Sequence, residues 1–495
     1  MEQIIGGLHA FLAWPGPAYM LLGCLLGIVF GFLPGLGGPQ VLALLTPVTY
    51  GMEPNLAISM LIGAMGAVPF GGSISAILLN TPGTAQNAAT CLDGFPLTQQ
   101  GRGAYALGAS AFSSILGSVF GALVLTFLLP FGRAAVLAFS YPEYFMMAML
   151  GISVIAAVSE GSLWKGLVAG LFGLLLTSIG YDPVTGSIRF TFGIEYLYDG
   201  IKIVPALIGL FAVSQALDLM LKGQFLTEGG TLASTGAGVL QGAAQTFRHF
   251  WLFLRCCVLG VIIGVIPGVG GSVANWMAYL HAAKSERKNP IFGRGDIRGV
   301  IAPQSADTAK DGGALVPTII FGVPGSVETA VLLAALVLHG IQPGPLLMLE
   351  HPSVIYVMIY ALVFSNITAG VLGLLGARYL TRLTTLPVHI LAPVIFVLSV
   401  MGAYATDGVF GDVIVALVFG VLGFFMMRFH FSRVAMVIAL VLGGLAQRSF
   451  HQTLVSMGAK GFFDRPISLA LFILILMMLA SPLLRRKSKK GKIAS

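Results

Sequence analysis

The chain has 495 residues, of which 57% are apolar and only 9% charged, against about 25% charged in an average soluble domain. Its net charge is +8 and its mean hydropathy is +0.92. A soluble enzyme, a disordered chain and a nucleic-acid-binding domain are excluded, because each needs a far more polar surface. Much of the basic excess sits in one tail, at Arg485, Arg486, Lys487, Lys489, Lys490 and Lys492.

What remains is an all-α polytopic membrane protein. A crossing helix needs roughly 20 apolar residues, which leaves room for about 10 to 12 spans. Continuous rather than alternating apolar runs argue against a barrel. In chain order the apolar stretches fall near 17–33, 57–79, 103–129, 134–158, 163–180, 201–221, 249–266, 312–323, 327–341, 354–376, 387–404, 409–427, 432–446 and 466–484. The short and Gly/Pro-rich ones read as half-helices or re-entrant hairpins. No Lys or Arg precedes Arg102, so a cleaved signal peptide is not expected and the first span serves as the insertion signal. Cys24, Cys91, Cys256 and Cys257 lie in or beside apolar runs and read as packing residues. The polar stretch 223–247 reads as a linker between a first membrane repeat, 1–222, and a second, 248–484. Residues 485–495 form a basic cytoplasmic tail.

The two halves resemble each other. Gly31-Phe32-Leu33-Pro34-Gly35-Leu36-Gly37-Gly38 matches Gly264-Val265-Ile266-Pro267-Gly268-Val269-Gly270-Gly271. Asn80-Thr81-Pro82-Gly83-Thr84 matches Gly322-Val323-Pro324-Gly325-Ser326, and Asp93-Gly94-Phe95-Pro96 is paired with His339-Gly340-Ile341-Gln342-Pro343. Three features in one order indicate an internal duplication.

Loop charges make that duplication inverted. Loop 284–298 holds Lys284, Arg287, Lys288, Arg294 and Arg298, while its counterpart near 47–55 has no basic residue. Arg102 follows Pro96, whereas 340–352 has none. Lys165 is matched by Asp407 and Asp412, and the Arg428–Arg433 loop by 181–200 with Asp182, Glu195 and Asp199. Each of these basic loops answers a neutral or acidic one (181–200 carries Arg189 alone), as opposite orientations require, while the loop at Arg133 against Arg378 and Arg382 does not discriminate.

Three motifs carry chemistry. In each Pro-Gly-x-Gly-Gly, Pro and Gly stop a helix at membrane depth and free N–H groups that can hold a carboxylate. The Pro-Gly turns at Pro82-Gly83-Thr84 and Pro324-Gly325-Ser326 put open amides and hydroxyls at hairpin tips. The third is the polar run 302–313, where Gln304, Asp307 and Asp311 share a helical face and Asp307 and Lys310 are spaced to pair; ionisable groups at membrane depth are functional by default. No phosphate-binding loop, zinc motif or catalytic constellation is present, so no ATP hydrolysis and no enzyme activity are expected.

These runs resemble the large membrane subunit of the tripartite tricarboxylate transporter family, over Gly31 to Gly103 and Gly264 to Pro345 in detail and more weakly over nearly the whole chain. The resemblance implies a small membrane subunit and a periplasmic substrate-binding protein as partners, and a bacterial inner-membrane location. It also implies carboxylate import driven by a Na+ or H+ gradient. Where the family often reads A-P-E-S-x-N-N-A, this chain reads Ala302-Pro303-Gln304-Ser305-Ala306-Asp307-Thr308-Ala309, so an acid has moved three residues along one helical face.

The expected substrate site draws on Gly35, Gly37, Gly38, Asn80, Thr81, Pro82, Gly83 and Thr84 from the first half. From the second it draws on Pro267, Gly268, Gly270, Gly271, Pro324, Gly325, Ser326 and Thr329. Coupling-ion candidates are Asp93, Gln304, Ser305, Asp307 and Thr308, with no cofactor beyond Na+ or H+. A gradient-independent channel or scaffold is the alternative.

Overall fold

The computed structural model describes residues 2–158, 163–182, 184–222, 236–267, 270–285, 291–383 and 388–491. The first half comprises α1 (Glu2–Leu12), α2 (Gly16–Phe32), α3 (Gly38–Val48), α4 (Pro54–Leu79), α5 (Ala88–Gln99), α6 (Gly103–Ala138), α7 (Tyr141–Val158), α8 (Leu163–Leu176), α9 (Ile203–Leu207) and α10 (Ser214–Lys222). The second comprises α11 (Gly236–Arg248), α12 (Phe250–Val265), α13 (Gly270–Ser285), α14 (Arg298–Phe321), α15 (Val327–Leu338), α16 (Pro345–Glu350), α17 (Pro352–Leu383), α18 (Val388–Asp407), α19 (Phe410–Arg428), α20 (Arg433–Met457), α21 (Gly461–Asp464) and α22 (Pro466–Gly491). A two-stranded hairpin, β1 (Gly180–Tyr181) with β2 (Ile188–Arg189), is the only sheet among the described residues.

Seven described helices are long and apolar enough to cross a membrane, and nine if each of two bent pairs counts once. That is fewer than the span arithmetic expects, because apolar length also goes into half-depth elements. The bent pairs are equivalent: α1 meets α2 at 73° and α11 meets α12 at 77°. Equivalent helices also cross on equivalent glycines. A Cβ at Gly31 would strike the Val68 carbonyl, and one at Gly264 the Lys310 carbonyl. The close approach of α2 to α4 is thereby repeated by α12 on α14.

The crossing also fixes depth. Along α2, Gly27 meets Ala64 and Gly31 meets Val68, so α2 runs parallel to α4 and stops partway along it. Its Pro-Gly break then returns the chain as the short α3. After Leu79 the chain doubles back, and Gly83 lies beside Gly72 and Gly31, about 10 Å in from the end of α4 at 1.5 Å per residue. The α-helix ends that permit these reversals are left-handed, at Asn80 (φ 54°) and Gly322 (φ 70°). Each half therefore sends two re-entrant tips toward mid-depth, as the broken-helix reading expects.

Loops assigned to one side by their charges do touch. On the basic side, Lys165 donates to the Phe429 carbonyl (2.7 Å), and Gln100 donates to the Arg294 carbonyl (2.9 Å). On the other side, Thr49 and His339 are hydrogen-bonded (3.0 Å), and Lys202 pairs with Asp407 and Asp412. The Val184 N–H and the Thr185 hydroxyl hold the Asp182 carboxyl in this second set of loops below the usual carboxylate range. The halves are also interlocked: α1 packs on α17, and its equivalent α11 packs on α6.

Two sequence readings are amended. The third matched pair is out of register, because Asp93-Gly94-Phe95-Pro96 lies inside α5 whereas His339 caps α15. The equivalent of Gly340 is Gly101, both at φ 75° just past a helix end. Residues 223–235 of the expected linker lie outside the described residues, and 236–247 are helical as part of α11.

Candidate functional site

The four tips converge where equivalent side chains meet. Gln86 follows the first-half turn and Glu328 the second-half turn at the same position. Gln86 Nε2 donates to Glu328 Oε1 at 2.8 Å. Equivalent residues can touch only across a two-fold axis, so this hydrogen bond marks the axis relating the halves. The surroundings repeat as well. Glu328 packs on Gly38, where a Cβ would lie 2.5 Å from its Cγ, and Gln86 packs on Gly271, where a Cβ would lie 2.5 Å from its Cδ. Only glycine admits these side chains at the first turns of α3 and α13.

That symmetry places unlike groups at two like helix starts. The positive end of the α3 dipole faces the Glu328 carboxylate, a favourable internal pairing. The start of α13 faces the neutral Gln86 amide instead, next to an open hollow of about 370 Å³ lined by Ala85, Ser272 and the exposed Val273, Trp276, Met277 and Leu280. Ligand pockets commonly span roughly 300–1,000 Å³.

The expected hydroxyls are largely engaged. Thr81 donates to the Leu79 carbonyl, and Thr84 donates to Asn87 Oδ1 (2.7 Å). Asn87 in turn donates to the Pro69 carbonyl and to Ser73 Oγ, which ties the first tip to α4. Ser326 and Thr329 form a mutual capping box, buried at 1% and 0% exposure. Gly37 N–H is taken by Gln40 Oε1. Gly35 is exposed, at φ 84°; Pro82 and Pro267 are half-buried and Pro324 is buried. Gly270 begins α13, whereas Gly268 lies outside the described residues. The tips differ in cover: Asn80 and Ala85 are exposed, while their equivalents Gly322 and Val327 are buried and half-buried.

The coupling-ion candidates separate into three environments. Asp93 clamps a loop. Its Oδ1 accepts from the backbone N–H groups of Gly293, Arg294, Gly295 and Asp296 at 2.8–3.1 Å, and Tyr279 donates to its Oδ2 (2.9 Å). Its acceptor capacity is thus spent on holding the start of α14. Asp93→Ala leaves those N–H groups without an acceptor, each hydrogen bond to a charged group being worth about 1.5–3 kcal/mol. We expect a lower melting temperature and faster hydrogen exchange confined to 293–296; unchanged protection there would remove the clamp role.

Gln304, Ser305 and Thr308 are buried but satisfied. Gln304 bridges Ser114 and Ser73, and the two hydroxyls donate to the carbonyls of Ile301 and Gln304. Asp307 differs, being fully buried with no hydrogen-bond partner within 3.5 Å on either oxygen, the Asn275 side chain facing it from α13. Lys310, spaced to pair with it, does so loosely at 3.9 Å and pairs more closely with Asp311 at 2.8 Å. Lys310 Nζ also reaches Gln86 Oε1 at 3.4 Å, which ties the cluster to the axis. Sequence reasoning missed the Gln86–Glu328 pair, although aligning the turns on Pro82 and Pro324 sets the two residues opposite each other.

Residues 18–438 match the family model described as "Tripartite tricarboxylate transporter TctA family". An uncharacterized 52.8 kDa protein of the TAR-I ttuC' 3' region of Agrobacterium vitis is 32% identical over 480 residues, covering 96% of this chain and 95% of its own length. An uncharacterized protein of the TAR-II region of the same organism is 29% identical over 238 residues, 47% of this chain and 98% of its own. An uncharacterized protein of Methanocaldococcus jannaschii is 24% identical over 287 residues, 56% of this chain and 65% of its own. No solved structure matches.

Proposed function

Since the chain belongs to the tripartite tricarboxylate transporter TctA family, we propose that it is the large transmembrane subunit of a binding-protein-dependent secondary transporter. It imports a small organic anion with one to three carboxylates across the bacterial inner membrane. It works with a small membrane subunit and a periplasmic binding protein, and it draws on a Na+ or H+ gradient by alternating access. In this reading it is a transporter subunit and not an enzyme.

The observation that carries the reading is the Gln86–Glu328 contact at the two-fold axis, because it brings broken-helix starts and hairpin tips from both halves to one place. The anion binds at the start of α13, where the N–H groups of Gly270, Gly271 and Ser272 open the helix beside the hollow. The start of α3 is left out, because Glu328 already serves it. The unequal cover of the two tips fits alternating access, in which two nearly equivalent halves are exposed in turn.

The test is reconstitution with the small subunit and the binding protein, followed by uptake of a panel of mono-, di- and tricarboxylates. Saturable uptake that needs both an imposed cation gradient and the binding protein supports the reading. Non-saturating, gradient-independent flux would replace it with the channel alternative.

A further inference from the structure

The two-fold relation between the halves supplies an internal control for the charges in α14. The repeat that aligns Gly31 with Gly264 and Pro82 with Pro324 sets Asp307, Lys310 and Asp311 opposite Met65, Val68 and Pro69. Both segments are fully buried, and both are crossed by the same glycine-mediated helix contact. The first half makes this packing with no ionisable side chain anywhere in α4. The fold therefore does not need the charges in α14, and buried ions are costly relative to apolar residues of similar size.

We infer that Lys310 is a resident ammonium standing where a bound sodium ion would sit, and that Asp307 beside it is the proton-carrying group. The site thus takes protons and not sodium. This rests on the coupled-import reading above and deepens it by naming the ion.

The geometry is specific. Lys310 Nζ is directed at Asp311 Oδ1 (2.8 Å) and Gln86 Oε1 (3.4 Å). Those oxygens are the ones a metal cation would need, and an ammonium already holds them. Asp307 is left 3.9 Å from that ammonium, with no hydrogen-bond partner within 3.5 Å on either oxygen and the Asn275 side chain of α13 facing it. An ionised carboxylate that nothing solvates is expensive. A second metal cation at that spot would be repelled by Lys310 and would find few oxygens. A proton needs one oxygen, forms an O–H bond on Asp307, and leaves as a proton when that bond breaks toward the other side.

The charged groups facing Asp307 are Lys310 and Asp311 on α14 itself and Glu328 on α15. Among its other neighbours, α4 has no ionisable side chain. On α6, which meets Thr308 at Gly117 and Ala309 at Gly121, Tyr105 and Arg133 stand three turns or more away along the helix. On α12 the Cys257 thiol lies against the Ser305 carbonyl at 3.8 Å. Asp93 of α5 and Tyr279 of α13 are bonded to each other at the start of α14. Arg255 of α12 lies with Arg298 at that same end, and Glu350 of α16 is exposed.

The test uses the purified full-length protein in lipid nanodiscs. Infrared difference spectra between mildly acidic and alkaline pH read the protonated-carboxyl C=O band, and melting temperature is compared in sodium and choline chloride. We expect the wild type to show the band and no sodium-dependent shift. Asp307→Asn, an isostere, loses the band, and Lys310→Met gains a sodium-dependent rise in melting temperature. A sodium-dependent rise in the wild type, or a band that persists in Asp307→Asn, overturns the inference. If Lys310→Met fails to fold, the wild-type and Asp307→Asn readings still decide. Uptake separates the two proposals. Carboxylate uptake on a sodium gradient alone, at equal pH on both sides, leaves the import reading standing and removes this one. A protein that keeps the band and ignores sodium but carries no carboxylate does the reverse.

Discussion

Gly325→Val is expected to abolish uptake while leaving the protein in the membrane, and Gly83→Val to do the same from the opposite tip. A single added Cβ at Gly325 would lie 2.6 Å from both Cα and O of Ala314 and 2.8 Å from the Gly264 carbonyl oxygen. At Gly83 it would strike the Gly31 carbonyl and lie 2.7 Å from Gly72 Cα. Nearly all of these neighbours are backbone, so no side-chain rotation relieves the contact. Overpacking by even one methylene costs about 1–3 kcal/mol, and valine adds more. The strain falls between a hairpin tip and the helix break it rests on, so the tip must lift away from the axis. Membrane fractionation reads insertion and proteoliposome uptake reads function. Normal transport by both variants would show that the tips are not part of the site.

Gln86→Glu is expected to be nearly as damaging for a different reason. It replaces the amide that donates to Glu328 at 2.8 Å with a second carboxylate, and two carboxylates at hydrogen-bond distance cannot both stay ionised. Losing a part-buried hydrogen bond to a charged group in this way costs about 1.5–3 kcal/mol. Because the two residues are equivalent across the axis, the exchange Gln86→Glu with Glu328→Gln rebuilds the contact in mirror image. The carboxylate at position 86 has Lys310 as a neighbour in both variants, 3.4 Å from the present Gln86 oxygen, so the difference between them is the like-charge contact alone. We expect the double variant to recover most of the uptake and thermal stability that Gln86→Glu loses. A double variant no better than Gln86→Glu alone would mean that the contact does not lie on a functional axis.

Much of this architecture is readable in the residues. The long apolar runs at 57–79, 354–376 and 409–427 became α4, α17 and α19, because run length decides spanning whatever the packing. The inverted arrangement was legible in the loops, since charge sets sidedness independently of fold. What stayed hidden depends on neighbours. Residues 236–247 look like a linker because their Gly, Ala and Gln content carries no span signal, yet they are helical once laid on α6. The third repeat motif was misaligned because Pro and Gly recur in both turns, while the true equivalents, Gly101 and Gly340, share only a backbone angle. The pair that the spacing of Asp307 and Lys310 allows is formed at 3.9 Å, but the closer partner of the ammonium, Asp311 at 2.8 Å, was not legible. That Asp93 gathers four loop N–H groups depends on a segment two hundred residues away, which no local pattern announces.

The seating of α1 on α17 and of α11 on α6 has a bearing on how the chain is made. The first helix leaves the ribosome long before Pro352 begins the element it chiefly rests against, so until then it has only α2 and α4 to lie on. Only α11 finds its partner already inserted. The order of synthesis therefore breaks the symmetry that the finished molecule displays, and the earliest segment is among the last to settle.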